Sequence, residues 1–315
     1  MKTRGEFEEK YRMLPDGSRV LCAVSGGADS IYLLHYMLSI STERRIAVFA
    51  AHYNHLLRGW ESDRDADFTQ NTCEKLGVPL IIGCGDVRSF AEEKHCGLEE
   101  AARILRYHFL EETADTLRCE RIATAHNADD NAETILMNLC RGSGTLGLSG
   151  IPPRRGRVIR PLLLTSRSEI EAYLSERQIP YIMDSTNKDD SYTRNRFRRF
   201  LKDFLIQENP SFLQAAARTA ELLREDNNYL EMQANIFLQE HFDGVSIPGD
   251  ALSKTEPAVA TRVVRKLCGG NLSMERTYAV LRFASGMEPG VLELPGRKLV
   301  RKHGRLYFPD NPHRI

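Results

Sequence analysis

Residues Ser25, Gly26, Gly27, Ala28, Asp29 and Ser30 follow the apolar run 20–24 and precede the helical pattern 31–38. A strand, a glycine-rich turn and a helix start form a cradle for phosphate, because backbone N–H groups and the positive end of the helix dipole face the ligand together. Gly26 and Gly27 let an anion approach without a Cβ in the way, and Ser25 and Ser30 add hydroxyl donors. Asp29 would repel bare phosphate, so it implies a metal between carboxylate and phosphate, with magnesium the natural candidate. An ordinary Gly-Asp turn at a strand end is the plainer alternative.

Two further polar blocks end apolar strands. The first is His52, Tyr53, Asn54 and His55, then Arg58, Gly59, Glu61 and Ser62. Two histidines three apart suit a metal pair, but no third zinc ligand follows at convincing spacing. A hydrogen bond to a nucleotide is the other use for them. The second block runs from His126 through Asp129, Asp130 and Glu133 to Thr134. In a helix starting near residue 128, Asp130 and Glu133 are i,i+3 neighbours on one face. Asp129 and Asp130 also suit a helix N-terminus electrostatically, which explains neither Glu133 nor His126. Two carboxylates beside a nucleotide suit capture of an amine or a second metal contact. Arg103 and Arg106 precede this block on one helix face. Arg103 matches an i,i+4 pair with Glu99, whereas Arg106 suits bidentate contact with phosphate or carboxylate.

The elements that must position these groups follow from patterning. Apolar strands at 20–24, 46–52, 78–82 and 121–126 alternate with helical patterns at 61–76 and 98–117. That alternation predicts an α/β domain with a parallel sheet covered on both faces, and ligands of such sheets sit outside the carboxyl ends of the strands. The glycine-rich stretch 142–150 reads as a flexible loop. Helices are predicted at 166–178, 194–206 and 211–239. Beyond them lie helices near 258–267 and 274–283 and strands near 290–294 and 298–308. The expected domains are a catalytic one over residues 1–207, a helical connector over 208–242 and a small α+β domain over 243–315. The long helix also offers a surface for a homodimer.

Lys+Arg and Asp+Glu both total 43 in 315 residues. Zero net charge argues against a chain that is basic throughout, but a nucleic-acid partner needs only a local patch. Arginines 154, 155, 157, 160 and 167 form one basic run, residues 194–202 a second and 297–305 a third. A basic run is usually a solvated face; three together favour a polyanion partner. The N-terminus has no apolar core of a signal peptide, and no apolar run reaches the ~20 residues of a membrane span. Seven scattered cysteines without a Cys-x-x-Cys pair suit a reducing cytoplasm.

The glycine loop lacks the Gly-Lys-Ser/Thr ending of a Walker loop and resembles the loop of the N-type ATP pyrophosphatases (PP-loop proteins). Together with the 52–59, 103–107 and 126–134 blocks the set resembles the tRNA(Ile)-lysidine synthases. Further resemblance lies in 141–144 with 147–151, in Arg160 to Leu163, and in Asp184 to Asn187 with Arg194, Asn195 and Arg198. It covers residues 19–200 firmly and the last 70 or so residues weakly. Longer members carry a further C-terminal domain, for which a chain ending at Ile315 has no room.

The resemblance implies an adenine-nucleotide hydrolase-like fold and a cytoplasmic ligase acting with ATP and Mg2+ on L-lysine and the isoleucine tRNA with a CAU anticodon. It implies ATP at residues 25–30, His52 and His126, magnesium at Asp29, and catalysis by Asp29, Arg106, Asp130 and Glu133. It places lysine at Arg106, Asp130 and Glu133, while Arg194 and Arg198 either gate that site or grip the RNA backbone. A tRNA thiolation enzyme of the same superfamily is the nearest rival; those with an iron–sulfur cluster need clustered cysteines. A nucleotide-amidating synthetase would not need the arginine runs, and an inert tRNA-binding protein would not need Asp29, Asp130 and Glu133.

Overall fold

The structure is a computed structural model, and it describes residues 4–57, 59–183, 193–269, 272–286 and 288–308. Arg58 and the segment Asp184 to Asn187, both part of the family resemblance, lie outside the described residues. The chain divides into two compact units, Met1–Glu221 and Leu222–Ile315, with the boundary inside one long helix.

Unit 1 carries α1 (Arg4–Lys10), β1 (Arg19–Ala23), α2 (Ala28–Ser41), β2 (Ala47–Asn54), α3 (Trp60–Leu76), β3 (Leu80–Cys84), α4 (Val87–Lys94) and α5 (Leu98–Thr116). It continues with β4 (Arg121–Ala123), α6 (Ala128–Cys140), α7 (Thr145–Leu148), β5 (Arg154–Arg155), β6 (Val158–Ile159), α8 (Arg167–Glu176) and α9 (Thr193–Phe200). After α9 the helix widens into a π turn, Leu201–Leu205, and ends in α10 (Ile206–Glu208). α11 (Phe212–His241) starts in unit 1.

The sheet has the order β3-β2-β1-β4-β6-β5. All pairs are parallel except β5 with β6. Strand β1 is the middle of the winding: β2 and β3 extend to one side of it and β4 to the other. The carboxyl ends of β1 and β4 therefore face a topological switch point, where such sheets bind ligands. Apolar residues cover both faces. Val20, Cys22, Ile31, Leu34 and Met37 belong to one buried cluster, and Leu21, Leu110, Ala114 and Ile122 to another.

Two expectations change. Strand β2 runs on to Asn54, past the predicted end at His52, and His52 within it is 5% exposed. The pairing Ala50–Leu80 through Asn54–Cys84 carries β2 past the point where its apolar run stops. The 142–150 stretch is not simply a flexible loop, since it contains α7. Gly150, at φ +69°, lies where a Cβ would collide with the Asn131 side chain, and the next residue, Ile151, donates its N–H to Asn131 Oδ1 at 2.8 Å. Close approach to α6 explains that glycine.

Unit 2 holds the remainder of α11, then β7 (Ser246–Pro248), α12 (Gly249–Lys254), α13 (Pro257–Leu267) and α14 (Met274–Ser285). β8 (Gly290–Leu294), β9 (Arg297–Lys302) and β10 (Arg305–Tyr307) complete an antiparallel sheet of order β7-β10-β9-β8. Its core includes Ile247, Val263, Val264, Val280, Leu299 and Leu306. The predicted 298–308 strand is two strands, because His303 and Gly304 both take positive φ and turn the chain.

Candidate active site

Val24 accepts the His52 Nδ1–H at 2.9 Å just after β1, and the chain then enters the glycine turn. Ser25 donates its backbone N–H to Ser30 Oγ at 3.1 Å, and Ser30 Oγ donates to Gly27 O at 2.9 Å. The turn is thus closed on itself by the hydroxyl of its last residue. No side chain caps the start of α2 at Gly27, which leaves that N-terminus suited to an external anion. Gly26, at φ +86°, accepts the Ile182 N–H at 2.9 Å.

At the end of β4, Asn127 starts α6 with a capping box. Its Oδ1 accepts the Asp130 N–H at 2.9 Å, and Asp130 Oδ2 accepts the Asn127 N–H at 3.1 Å. This satisfies two helix-end donors and leaves Asp130 Oδ1 for another partner. Asn127 Nδ2 donates to Asp29 Oδ1 at 3.1 Å, joining the two loops. Asp129 instead accepts the Arg167 N–H at the start of α8, at 2.8 Å. One turn beyond Asp130, the Glu133 side chain is fully buried.

Helix α9 sends two arginines to these carboxylates. Arg194 Nε donates to Glu133 Oε2 at 2.9 Å and its Nη2 to Asp130 Oδ1 at 3.1 Å. Arg198 Nε donates to Glu133 Oε1 at 2.8 Å. Glu133 therefore has a guanidinium on each oxygen. Burial works against the Arg194 charge, but Asp130 and Glu133 outweigh it and hold its pKa above the ordinary value.

A cavity of about 620 Å³ gathers the expected groups. Ser25, Gly27, Asp29, Ser30, His52, His126, Arg106, Asp130, Arg194 and Arg198 line it. Gly26, Ala28 and Glu133 do not; Glu133 lies behind Asp130, Arg194 and Arg198. The cavity lies where the carboxyl ends of β1, β2 and β4 meet, since Ala23, Asn54 and Thr124 line it, which accounts for the gathering.

The electrostatics are sharply divided. Burial, then Arg160, Arg106, Arg194 and Arg103, push the His126 pKa down to about 3, so its ring is neutral. Burial likewise lowers His52. The Asp29 carboxyl is raised by burial, with Asp130 adding to the rise and Arg167, Asn127 and Arg198 opposing it. Asp29 has one oxygen on Asn127 and the other 3.8 Å from Arg167. A single carboxylate beside a phosphate cradle fits magnesium, which takes one or two carboxylates and completes its shell with phosphate and water. Among the described residues no group of three His, Cys, Asp or Glu could hold a metal alone.

Sequence reasoning missed the roles of four arginines in unit 1. Arg160 is 3% exposed, with Nη1 on Pro152 O at 2.6 Å, so it is a buried support rather than part of a solvated run. Arg157 pairs with Glu111 and Asp115, and Arg167 with Glu171 and Asp29. Arg103 stacks on Tyr107, 4.9 Å from its ring centre, and forms no ion pair with Glu99. In unit 2, Arg305 pairs with Asp243 and Lys298 with Glu293. Glu171 lies on the same helix as Arg167, whereas the partners of Arg157, Arg160 and Arg305 come from other parts of the chain and were not visible in the sequence.

Comparison with known proteins now bears on this geometry. Residues 3–205 match the PP-loop domain family. The tRNA(Ile)-lysidine synthase of Geobacillus kaustophilus is 34% identical over 96% of this chain and 69% of its own length. The chain belongs to the tRNA(Ile)-lysidine synthase family. A second lysidine synthase, from Parabacteroides distasonis, is 45% identical over 69% of this chain and 49% of its own length. The chain spans about half to two thirds of most of the curated lysidine synthases it matches. Among solved structures, the U34-tRNA thiolase NcsA of Methanococcus maripaludis superposes with a TM-score of 0.58. It is 20% identical, covering 70% of this chain and 77% of that one. That likeness establishes the PP-loop fold, which the lysidine synthase family shares with a thiolase.

Proposed function

We propose that this chain joins free L-lysine to ring carbon 2 of the wobble cytidine in the isoleucine tRNA with a CAU anticodon. ATP is the co-substrate. The cytidine O2 attacks the α-phosphorus, the bond to the β-phosphate breaks and pyrophosphate leaves. The lysine ε-nitrogen then attacks carbon 2, loses a proton, and AMP departs with the oxygen. Adenylation converts a poor leaving group into a good one, and holding three reactants together supplies much of the rate.

The observation that carries the reading is that one cavity is shared by the phosphate cradle, Asp29, Asp130 and four arginines, Arg103, Arg106, Arg194 and Arg198. In it, residues 25–30 bind the triphosphate. Magnesium, held by Asp29, would supply charge neutralisation at the phosphates. Neutral His52 and His126 offer ring nitrogens to the nucleotide and the base. Asp130 and Glu133, now paired with Arg194 and Arg198, are the seat for an ammonium group, and Arg106 meets the lysine carboxylate. An attacking amine must be neutral, and an amine of pKa ~10.4 needs a nearby proton acceptor, a role that suits Asp130. Unit 2 contributes shape and phosphate contacts to RNA selection. No helix of the described residues is long and apolar enough to cross a membrane, in keeping with a cytoplasmic enzyme. The face of α11 is the surface for a homodimer.

The test is a product assay with ATP, magnesium, labelled lysine and the CAU-anticodon isoleucine tRNA, with Asp29→Ala as control. ATP-dependent lysine incorporation that disappears in the variant is the expected result. Pyrophosphate release without lysine incorporation would point to another nucleophile, such as sulfur in the thiolation reading.

A further inference from the structure

The chain has one tryptophan, Trp60, and it is 70% exposed at the first position of α3. A lone exposed apolar side chain is ordinary. Three observations set this one apart.

Its ring is oriented. Arg64, one turn along α3, places its guanidinium carbon 5.4 Å from the ring centre. That guanidinium is itself fixed, since Nε and Nη2 donate to Asp65 Oδ1 at 3.2 and 2.8 Å. A cation over the indole can cover only one face, and the high exposure leaves the other to solvent.

The approach to Trp60 is anchored. Asn54, buried at the end of β2, accepts the Leu56 N–H at 2.9 Å. Its Nδ2 donates to Asp63 Oδ1 in the first turn of α3 at 3.3 Å. One side chain thus ties strand, loop and helix start together. Leu56 and the first turn of α3 are both held to the end of β2, which lowers what a ligand meeting the indole pays to organise the helix start.

Trp60 does not itself line the cavity, but its neighbours along the chain do. In the sequence Trp60 lies between Leu57 and Ser62, and Leu57, Ser62 and Asp65 all line the cavity that holds the phosphate cradle.

We propose that Trp60, backed by Arg64, is a stacking platform for an unpaired RNA base next to the base that enters the cavity. The inference rests on the proposed function. A base drawn out of its loop leaves a neighbour without its stacking partner, and an aromatic face with an adjacent cation replaces that partner for any base. Arg64 offers its charge to the adjoining phosphate.

Because Trp60 is the only tryptophan, intrinsic tryptophan emission reports on it alone. The full chain is titrated with an RNA hairpin bearing a CAU loop, and with the same hairpin carrying abasic sites on either side of the cytidine. Retardation in a gel and lysine incorporation are measured in parallel. The expected result is quenching that saturates together with retardation and is largely lost with the abasic hairpin. Trp60→Ala should weaken hairpin binding about 5- to 150-fold, whereas Trp60→Phe stays within a few-fold of the parent. Normal retardation with unchanged emission, or a Trp60→Ala protein that binds like the parent, overturns the platform and leaves the proposed function standing. Equal quenching by fully paired RNA also overturns it. A parent protein that neither retards the hairpin nor incorporates lysine into the CAU-anticodon isoleucine tRNA overturns both readings.

Discussion

Asn127 Nδ2 donates to Asp29 Oδ1 at 3.1 Å while the Oδ1 of the same amide caps α6. One side chain therefore fixes the phosphate cradle of β1 to the carboxylate-bearing helix after β4. Asn127→Ala should lose both links. The missing cap costs about 1 kcal/mol, read as a lower urea midpoint, and Asp29 is freed from its donor. Asn127→Asp retains a capping oxygen but sets a second carboxylate against Asp29, which disfavours having both ionised. Its pyrophosphate release should fall further than its stability does. An Asp variant as active as the parent would show that the amide donor to Asp29 is dispensable.

Glu133 controls whether α9 stays on the site. Its two oxygens accept from Arg194 and Arg198, and it is fully buried. In Glu133→Gln the amide keeps one acceptor and turns a donor toward a guanidinium. A buried polar group left without its partner costs about 1–3 kcal/mol, and denaturant unfolding should register that loss.

Arg194→Ala acts in the opposite sense on the substrate. It removes the guanidinium bridging Asp130 and Glu133, so a lysine ammonium no longer competes with it. The lysine KM should drop several-fold with the ATP KM unchanged. A rise in the KM for RNA, with lysine unaffected, would instead assign Arg194 to the RNA backbone.

Gly26 combines two constraints. Its φ is +86°, and a Cβ there would lie 2.6 Å from Ile182 Cδ1. Backbone strain of this kind costs about 1–3 kcal/mol. Gly26→Ala should melt earlier and bind ATP more weakly, because the cradle must shift to clear Ile182. Gly17→Ala is the control: it also sits at positive φ, at +76°, but has open space around it. It should melt earlier yet keep ATP affinity.

The parallel strands β1 to β4 were legible because each contains an apolar run followed by polar or glycine residues, even though β3 is an edge strand with Ile81 and Ile82 exposed. The hairpin β5–β6 was not, since two residues per strand set no period. Asp130 and Glu133 were visible as helix neighbours, but their partners were not. Arg194 lies 61 residues from Glu133, and only the packing of α9 on α6 brings them together. Arg160 reads as one of five basic residues in a run, whereas its burial against Pro152 follows from the turn after β6. The family resemblance named residues from separate blocks of the sequence; the structure lines one cavity with most of them and supplies their pairings.

His126 gives the site a pH signature. Its pKa is about 3 in the folded chain, against 6.5 for a free histidine. Between those values the unfolded chain binds a proton that the folded one refuses, so stability rises with pH across that window and levels off above it. One such group contributes up to about 1.4 kcal/mol per pH unit. Asp29 and Asp129 act in the opposite sense. Burial raises both, so the stability they contribute is present below 3.8 and is lost as pH climbs through their folded values. His126→Asn removes the first effect and leaves the second. Urea unfolding between about pH 4 and pH 6 should therefore show a steeper rise in stability for the parent than for the variant. Parallel slopes would mean that the His126 ring takes up its proton in the folded protein, against the pull of Arg160, Arg106, Arg194 and Arg103.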